Sequence, residues 1–401
     1  MKRKYKRVEK IMIFLNYQTL KSKIMVIGGL LTSSLLLGAC MNTDSSQNAT
    51  TGKLISVQQD IDISTLPDAA KRVQISYMTS SFNGKATTVN GLMTLPKTPV
   101  PQGGYPVVSW GSGTTGFAAQ CMPSQAVNAT RDAYLNEWLK RGYVVLQTDY
   151  EGWGGSVGHR PLLDGKSNAA ALTDIVTAAH RYSNQLSNEW IVVGHSEGGG
   201  AALWVAGLTQ QAGGKYPLKG AIAIAPVGPG ILKFMDNAVN GGVVHAQPFL
   251  SVTVLGANIV DPSIDLDKLL KAPMKPQVEA AKTQCLAPLF KLKQLQAGQY
   301  LNAGADYDKV TDFLKTAQDP SRLTMKVPVT IIQGTQDETT VTPPTTKAMI
   351  SSFCSRGATV EYHEYSGETH RSVIPASQED AFSFAKKVFS NQPTKNVCKK
   401  D

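Results

Sequence analysis

Ile191-Val192-Val193-Gly194-His195-Ser196-Glu197-Gly198-Gly199-Gly200-Ala201-Ala202 is the stretch on which the fold turns. The β-branched run at its start reads as a buried strand. The small residues at its end read as the beginning of a helix packed tightly on a sheet. Between them Gly194–Gly198 has the form G-x-S-x-G, which presents a serine on a sharp strand-to-helix turn. Glycines flank the serine because the backbones there approach too closely for a Cβ. The pattern occurs a second time, at Gly154-Gly155-Ser156-Val157-Gly158. Context separates the two. Ser196 sits directly between strand and helix, whereas Ser156 lies in a glycine-rich loop several residues beyond its strand, with Pro161 close behind.

Working outward, apolar runs and helical spacings alternate. Val73–Tyr77, Val89–Leu95, Tyr105–Trp110 and Tyr143–Gln147 read as strands. So do Ala221–Ala225, Pro328–Ile332 and Val360–Tyr365. Asp132–Lys140, Ala169–Tyr182, Ala201–Leu208 and Ala381–Val388 have helical spacing. This alternation predicts an α/β fold with a mostly parallel central sheet and helices on both faces. Pro226 to Lys326 breaks the rhythm, with helical pieces at Val278–Leu286 and Tyr307–Leu314. The expectation is an inserted, largely helical cap over 228–323, dividing the core into 54–227 and 324–401. The competing reading is a core extended by extra helices.

A serine hydroxyl needs a base to take its proton and a third group to orient that base. In a sheet of this kind the chain order is serine, acid, histidine. The strand ending at Ile332 leads into Gly334-Thr335-Gln336-Asp337, and the strand ending at Tyr365 leads into Ser366-Gly367-Glu368-Thr369-His370. Both loops belong to the carboxyl rim on which Ser196 sits. Asp337 is therefore the candidate acid, with Glu338 as its neighbouring rival, and His370 the candidate base. His363 lies inside a strand and reads as structural, and His195 as the variable position of the turn. His159, His180 and His245 have no partner pattern. An oxyanion would need two preorganised donors. The Glu197 N–H is one candidate; the other comes from Gly111-Ser112-Gly113-Thr114-Thr115-Gly116, where Thr114 is preferred and Thr115 second. That loop also matches G-x-G-x-x-G. However, Pro123 interrupts the helix a dinucleotide site requires, and Asp132 falls in a helical pattern rather than ending the next strand.

At 42% apolar residues the chain can bury a sizeable core. Its formal charge of +10 suggests a polyanion partner, but residues 1–39 hold eight basic groups against Glu9 alone. The small remaining excess is too weak for a nucleic-acid footprint. Lys21 and Lys23 precede an apolar run from Ile24 to Ala39, shorter than a comfortable membrane span. The run ends Leu37-Gly38-Ala39-Cys40, which resembles a bacterial lipobox, and a polar tether follows over 40–53. The expectation is a lipoprotein signal peptide over 1–39, lipidation at Cys40, and export to the cell envelope on an outer-membrane or periplasm-facing anchor. An ordinary secretory signal or an anchor helix is the alternative. Translation starting at Met12 or Met25 would give a leader of more usual length. Cys121, Cys285, Cys354 and Cys398 form an even set for an oxidising compartment, and three pairings are open. None has zinc-site spacing.

With these residues placed, the chain resembles the secretory lipase family of α/β-hydrolases over most of 54–398. The resemblance rests on Gly113-Thr114-Thr115-Gly116, Cys121-Met122-Pro123-Ser124, Asp149-Tyr150-Glu151-Gly152 and Gly194–Ala202. Two positions depart from the family pattern: Ser112 where histidine is usual before the glycine loop, and Glu197 where glutamine is usual after the serine. The resemblance implies pairings Cys121–Cys285 and Cys354–Cys398. It implies a Ser196–His370–Asp337 triad acting through an acyl-enzyme on esters with an apolar acyl chain. It calls for neither metal nor organic cofactor, and no nucleic-acid partner. A peptidase or acyltransferase would use the same triad, and an envelope lipoprotein that merely keeps the fold would use none of it.

Overall fold

The computed structural model describes residues 51–153, 160–209, 211–212 (backbone), 215–242, 244–338 and 341–399. The leader, Cys40, most of the tether, Ser156 and His159 lie outside the described residues.

In chain order the strands are β1 (Leu54–Gln58), β2 (Ala69–Ser80), β3 (Ala86–Pro96), β4 (Tyr105–Gly111), β5 (Val144–Thr148), β6 (Leu186–His195), β7 (Gln211–Ala212), β8 (Tyr216–Ile224), β9 (Val329–Gly334) and β10 (Val360–Tyr365). They lie in the order β1-β2-β3-β5-β4-β6-β8-β9-β10, with β7 paired to β8 alone. The first three strands join antiparallel. From β5 to β10 every neighbouring pair is parallel.

The core helices are α1 (Ala129–Lys140), α2 (Gly165–Tyr182) and α3 (Glu197–Leu208). Between β8 and β9 come α4 (Gly230–Asn240), α5 (Pro248–Val260), α6 (Leu266–Leu269), α7 (Lys275–Thr283), α8 (Leu286–Leu289) and α9 (Ala305–Phe313). Then follow α10 (Pro343–Cys354), α11 (Val373–Ala376) and α12 (Gln378–Phe389). None of these helices is long and apolar enough to cross a membrane.

Period-two alternation divides the strand residues between two cores. Val108, Trp110, Ile191, Val193, Ile222 and Ile224 face α1, α12 and the β8–β9 insertion. Val107, Trp190, Val192, Ala221, Ala223 and Ile331 face α2, α3 and α10. A parallel sheet covered on both faces needs apolar residues at successive positions, which is why β6 and β8 read as continuous apolar runs.

The β4–β6 boundary positions the site. From β4 the chain passes through α1 to β5 on one side; from β6 it passes through α3 to β8 on the other. Loops leaving these neighbours diverge, and a crevice opens at their carboxyl ends.

One expected helix is interrupted. Val278–Leu286 reads as continuous helix in sequence, yet α7 stops at Thr283 and α8 starts at Leu286. Cys285 between them is extended, bridged to Gly116. The Leu286 N–H donates to the Thr115 carbonyl at 2.8 Å. The Cys121–Cys285 disulfide ties this point to the glycine loop, and that tertiary tie overrides local helical spacing. The Cys354–Cys398 disulfide fastens the C-terminal segment to the end of α10. Closing a loop with a sequence separation of 44 contributes about 4 kcal/mol in the chain-entropy model. Replacing Cys354 and Cys398 together by serine is expected to lower unfolding free energy by roughly that amount, read by urea denaturation, with ester turnover at low temperature retained.

Candidate active site

β6 ends at His195 and α3 begins at Glu197, so Ser196 is the whole turn. Its backbone sits at φ 57°, ψ −117°, a region that costs a non-glycine residue ~1–3 kcal/mol and persists only when neighbours enforce it. They do so here. The Ser196 N–H donates to Ile224 O at 2.9 Å, and its carbonyl accepts from Gly200 N and Val227 N, both at 3.0 Å. The flanking glycines are steric requirements. A Cβ on Gly194 would lie 2.0 Å from Gly198 O, and one on Gly198 would lie 2.0 Å from Gly111 O.

His370 follows β10, and Asp337 follows β9. The two loops are stitched together: Thr335 N donates to Tyr365 O and Gln336 N to Glu368 O, each at 2.9 Å. Gly334 permits this approach, because a Cβ there would meet Glu368 O at 2.3 Å. His370 Nε2 lies 2.9 Å from Ser196 Oγ, and His370 Nδ1 lies 2.6 Å from Asp337 Oδ2. The Asp337 carboxylate is buried and also accepts from Gln333 Nε2 at 3.4 Å. A carboxylate that accepts from Nδ1 fixes the imidazole with Nε2 bare toward the hydroxyl. Hydroxyl, imidazole and carboxylate in this order can relay a proton. Glu338, the acid's neighbour, is exposed and lines an outer cavity instead.

The Glu197 N–H is the first of α3, one of the donors a helix leaves without an internal partner. Thr114 lies across from it beside Ser196 and His370, on the walls of both adjoining cavities. Thr115 also lines the cleft, its hydroxyl donating to Cys121 O at 2.6 Å. No helix starts among the glycines of this loop, since α1 begins only at Ala129, capped by the Asn128 side chain. The segment Asp149–Gly152 supports the loop from behind. Tyr150 Oη donates to Ser112 O at 3.0 Å, and Asp149 Oδ1 accepts from Ser124 N at 2.8 Å. Burial raises the Asp149 carboxyl to about 6.

Sequence spacing did not reveal what holds Glu197. Its carboxylate is buried and accepts from Arg160 Nη2 at 3.0 Å to each oxygen, from Asn168 Nδ2 at 3.2 Å, and from Thr114 Oγ1 at 2.8 Å. Arg160 is buried too, its guanidinium 3.7 Å over the Trp153 ring, and burial lowers its pKa. The nearest sequence signal was the departure at position 197 itself, because a buried carboxylate demands a cation. His195 is also engaged, its Nε2 2.8 Å from His370 O. Of the remaining histidines, His363 bridges Glu361 and Asp380 at 3.0 Å each. His180 bonds the Val176 and Ser187 carbonyls, and His245 is exposed.

Two cavities meet at Ser196. One is an open cleft of about 340 Å³ between the glycine loop, the start of α1, Cys285–Ala287 and His370–Ile374. The other is a crevice of only about 10 Å³, walled by Leu162, Leu163, Val227, Ile231, Phe249 and Val252.

A two-sided α/β sheet with a strained serine turn on its carboxyl rim is the architecture of an α/β-hydrolase. The chain belongs to the secretory lipase family, whose profile matches residues 122–397, and it is a carboxylic ester hydrolase. Among solved structures it is similar to Candida antarctica lipase A in its closed state, with TM-score 0.71 and 18% identity over 88% of this chain and 86% of that one. It is also similar to the rice cell wall degrading esterase LipA of Xanthomonas oryzae, with TM-score 0.66 and 19% identity over 86% of this chain and all of that one, 100%. These identities speak to the fold. No curated protein matches the chain.

The Arg160–Glu197 pair makes a stability prediction. Truncating one partner of a buried pair strands the other's charge and costs ~3–5 kcal/mol, whereas removing both charges costs far less. Arg160→Met is expected to lower unfolding free energy by about that amount, and adding Glu197→Gln to recover most of it. A denaturant-based double-mutant cycle measures both.

Proposed function

We propose that Ser196 is the nucleophile of an acyl-enzyme mechanism, with His370 as base and Asp337 as its orienting acid. The observation that carries this reading is the unbroken hydrogen-bond relay from Ser196 Oγ through the His370 ring to Asp337, opening on a cleft. Ser196 Oγ attacks the ester carbonyl as His370 Nε2 takes its proton. The N–H groups of Glu197 and Thr114 hold the oxyanion. His370 returns the proton to the departing alcohol. Water, deprotonated by the same imidazole, then attacks the acyl-enzyme; the acid leaves and Ser196 recovers its proton.

The insertion between β8 and β9, expected over 228–323, acts in this reading as a cap. The apolar crevice beneath α4 and α5 receives the acyl chain, and the open cleft receives the alcohol. In this conformation the crevice has room for about one water, so a longer acyl chain must displace Phe249, which lines the crevice, the cleft and the outer cavity. The backbone just before it is strained, with Ala246 at φ 55°. The family name and the leader pattern together support export, with the chain tethered through a lipidated Cys40 and the polar segment 40–53.

Ser196→Ala is expected to reduce hydrolysis of aryl esters by on the order of 10⁴-fold or more. Hydrolysis at the original rate by that variant would overturn the assignment. Phe249→Ala is expected to raise kcat/KM for octanoate relative to acetate esters by about tenfold, the worth of roughly two buried methylenes. A series of p-nitrophenyl esters of rising acyl length reads it, and an unchanged profile removes Phe249 from the acyl path.

A further inference from the structure

The two variable positions of the serine turn both reach across the site. His195 precedes Ser196 and is nine-tenths buried. Its Nε2 lies 2.8 Å from the carbonyl of His370. A carbonyl oxygen only accepts, so Nε2 carries the proton and donates. The His195 and His370 rings lie 4.7 Å apart, tilted by 50°. Burial, reinforced by the neighbouring His370, pushes the His195 pKa down to about 3. The ring therefore stays neutral and places no standing positive charge where His370 must become an imidazolium. Glu197 follows Ser196. While its N–H opens α3, its carboxylate accepts the Thr114 hydroxyl at 2.8 Å and is itself fixed by Arg160 and Asn168.

His370 stands on a loop after the edge strand β10, and Thr114 on a loop after β4. Neither loop is regular secondary structure, and each must hold its group to within a fraction of an ångström of Ser196. The only long polar side chains within the turn itself are His195 and Glu197, and each bonds one of those two loops. We propose that these two are positioning residues: His195 staples the base loop, and the Glu197 carboxylate staples the oxyanion loop, to the nucleophile turn. The serine thus carries its own alignment on its two chain neighbours, and the assignment rests on the triad reading above.

His195→Phe keeps a ring in the pocket and removes the donor. His195→Gln returns an amide N–H near the place of Nε2. The expected result for His195→Phe is a kcat lowered by roughly tenfold to a hundredfold with KM within about twofold, and for His195→Gln recovery of most of that loss. On the other loop Thr114→Val is expected to lower kcat similarly, and Thr114→Ser to restore it in part. Thermal midpoints accompany each measurement, so that a variant that fails to fold is set aside in favour of its conservative counterpart. A folded His195→Phe enzyme with wild-type kcat, or a His195→Gln enzyme no better than His195→Phe, overturns the His195 staple; Thr114→Ser behaving like Thr114→Val overturns the Glu197 one. Labelling of wild-type Ser196 by a fluorophosphonate separates these failures from failure of the triad itself, since loss of labelling would sink the triad and retained labelling would leave only the staples in question.

Discussion

Where β4 and α3 meet there is no room for a single Cβ, and the site follows from that. Gly194 and Gly198 pack backbone to backbone, and Gly198 packs on Gly111. The turn between β6 and α3 is thereby compressed to one residue, and Ser196 takes a conformation that an L-amino acid avoids. The strain is modest beside the hydrogen bonds that oppose relaxation, from Ile224, Gly200 and Val227. The same contact brings the end of β4, and with it the glycine loop, to the side of the serine. Parallel strands do the rest, because every loop after a parallel strand leaves on one rim. Asp337 and His370 arrive there from β9 and β10, although neither is near Ser196 in the chain.

This explains which parts of the molecule were legible in sequence. The strand–turn–helix at 191–202 is a local pattern, and its glycines have local steric causes. Asp337 and His370 could be read because each lies a few residues past a recognisable strand. By contrast, α4 and α5 had no strong signature. In α5, Pro248–Val260, the residues Val252, Thr253 and Val254 have no helical preference, and it is burial among neighbouring helices that makes them helical. The break at Cys285 was hidden for the opposite reason: the spacing was helical, but a disulfide and a bridge to Gly116 required extended backbone. The partners of Glu197 were also illegible. Arg160 is 37 positions away, and only the folded chain brings them together. His195 looked like filler because its bond goes to a backbone carbonyl, which leaves no mark on the residue type of its partner.

The two cavities differ by the same logic of enclosure. One side of Ser196 is a wall of Leu, Ile, Val and Phe, and those residues belong to a hydrophobic core shared by the sheet and the insertion. The other side is bordered by irregular loops and the start of a helix, and its lining mixes Ser112, Thr114 and Asn128 with Trp110, Val127, Leu286 and Ile374. The enclosed crevice removes an apolar chain from water more fully than the open cleft does. Phe249 separates them, and its ring rests edge-on against the half-exposed Phe290, 5.8 Å between centroids.

The carboxylate at position 197 is the remaining physical difficulty. Ester hydrolysis builds negative charge on the oxyanion, and a fixed anion within a few ångströms raises that transition state by on the order of several kcal/mol at an effective dielectric near 20. A glutamate next to the nucleophile should thus be harmful where a glutamine would be neutral. Arg160 answers the objection. It is buried, contacts both Glu197 oxygens equally at 3.0 Å, and spreads its charge over the face of Trp153. Seen from the oxyanion the pair is close to a neutral dipole. The carboxylate then keeps what glutamine would hold less strongly, a charge-assisted bond from the Thr114 hydroxyl. On the proposed mechanism the pair exchanges a desolvation cost for a firmer oxyanion loop, and only while both charges are present, which ties Arg160 to the serine turn as closely as the residues that flank Ser196 in sequence.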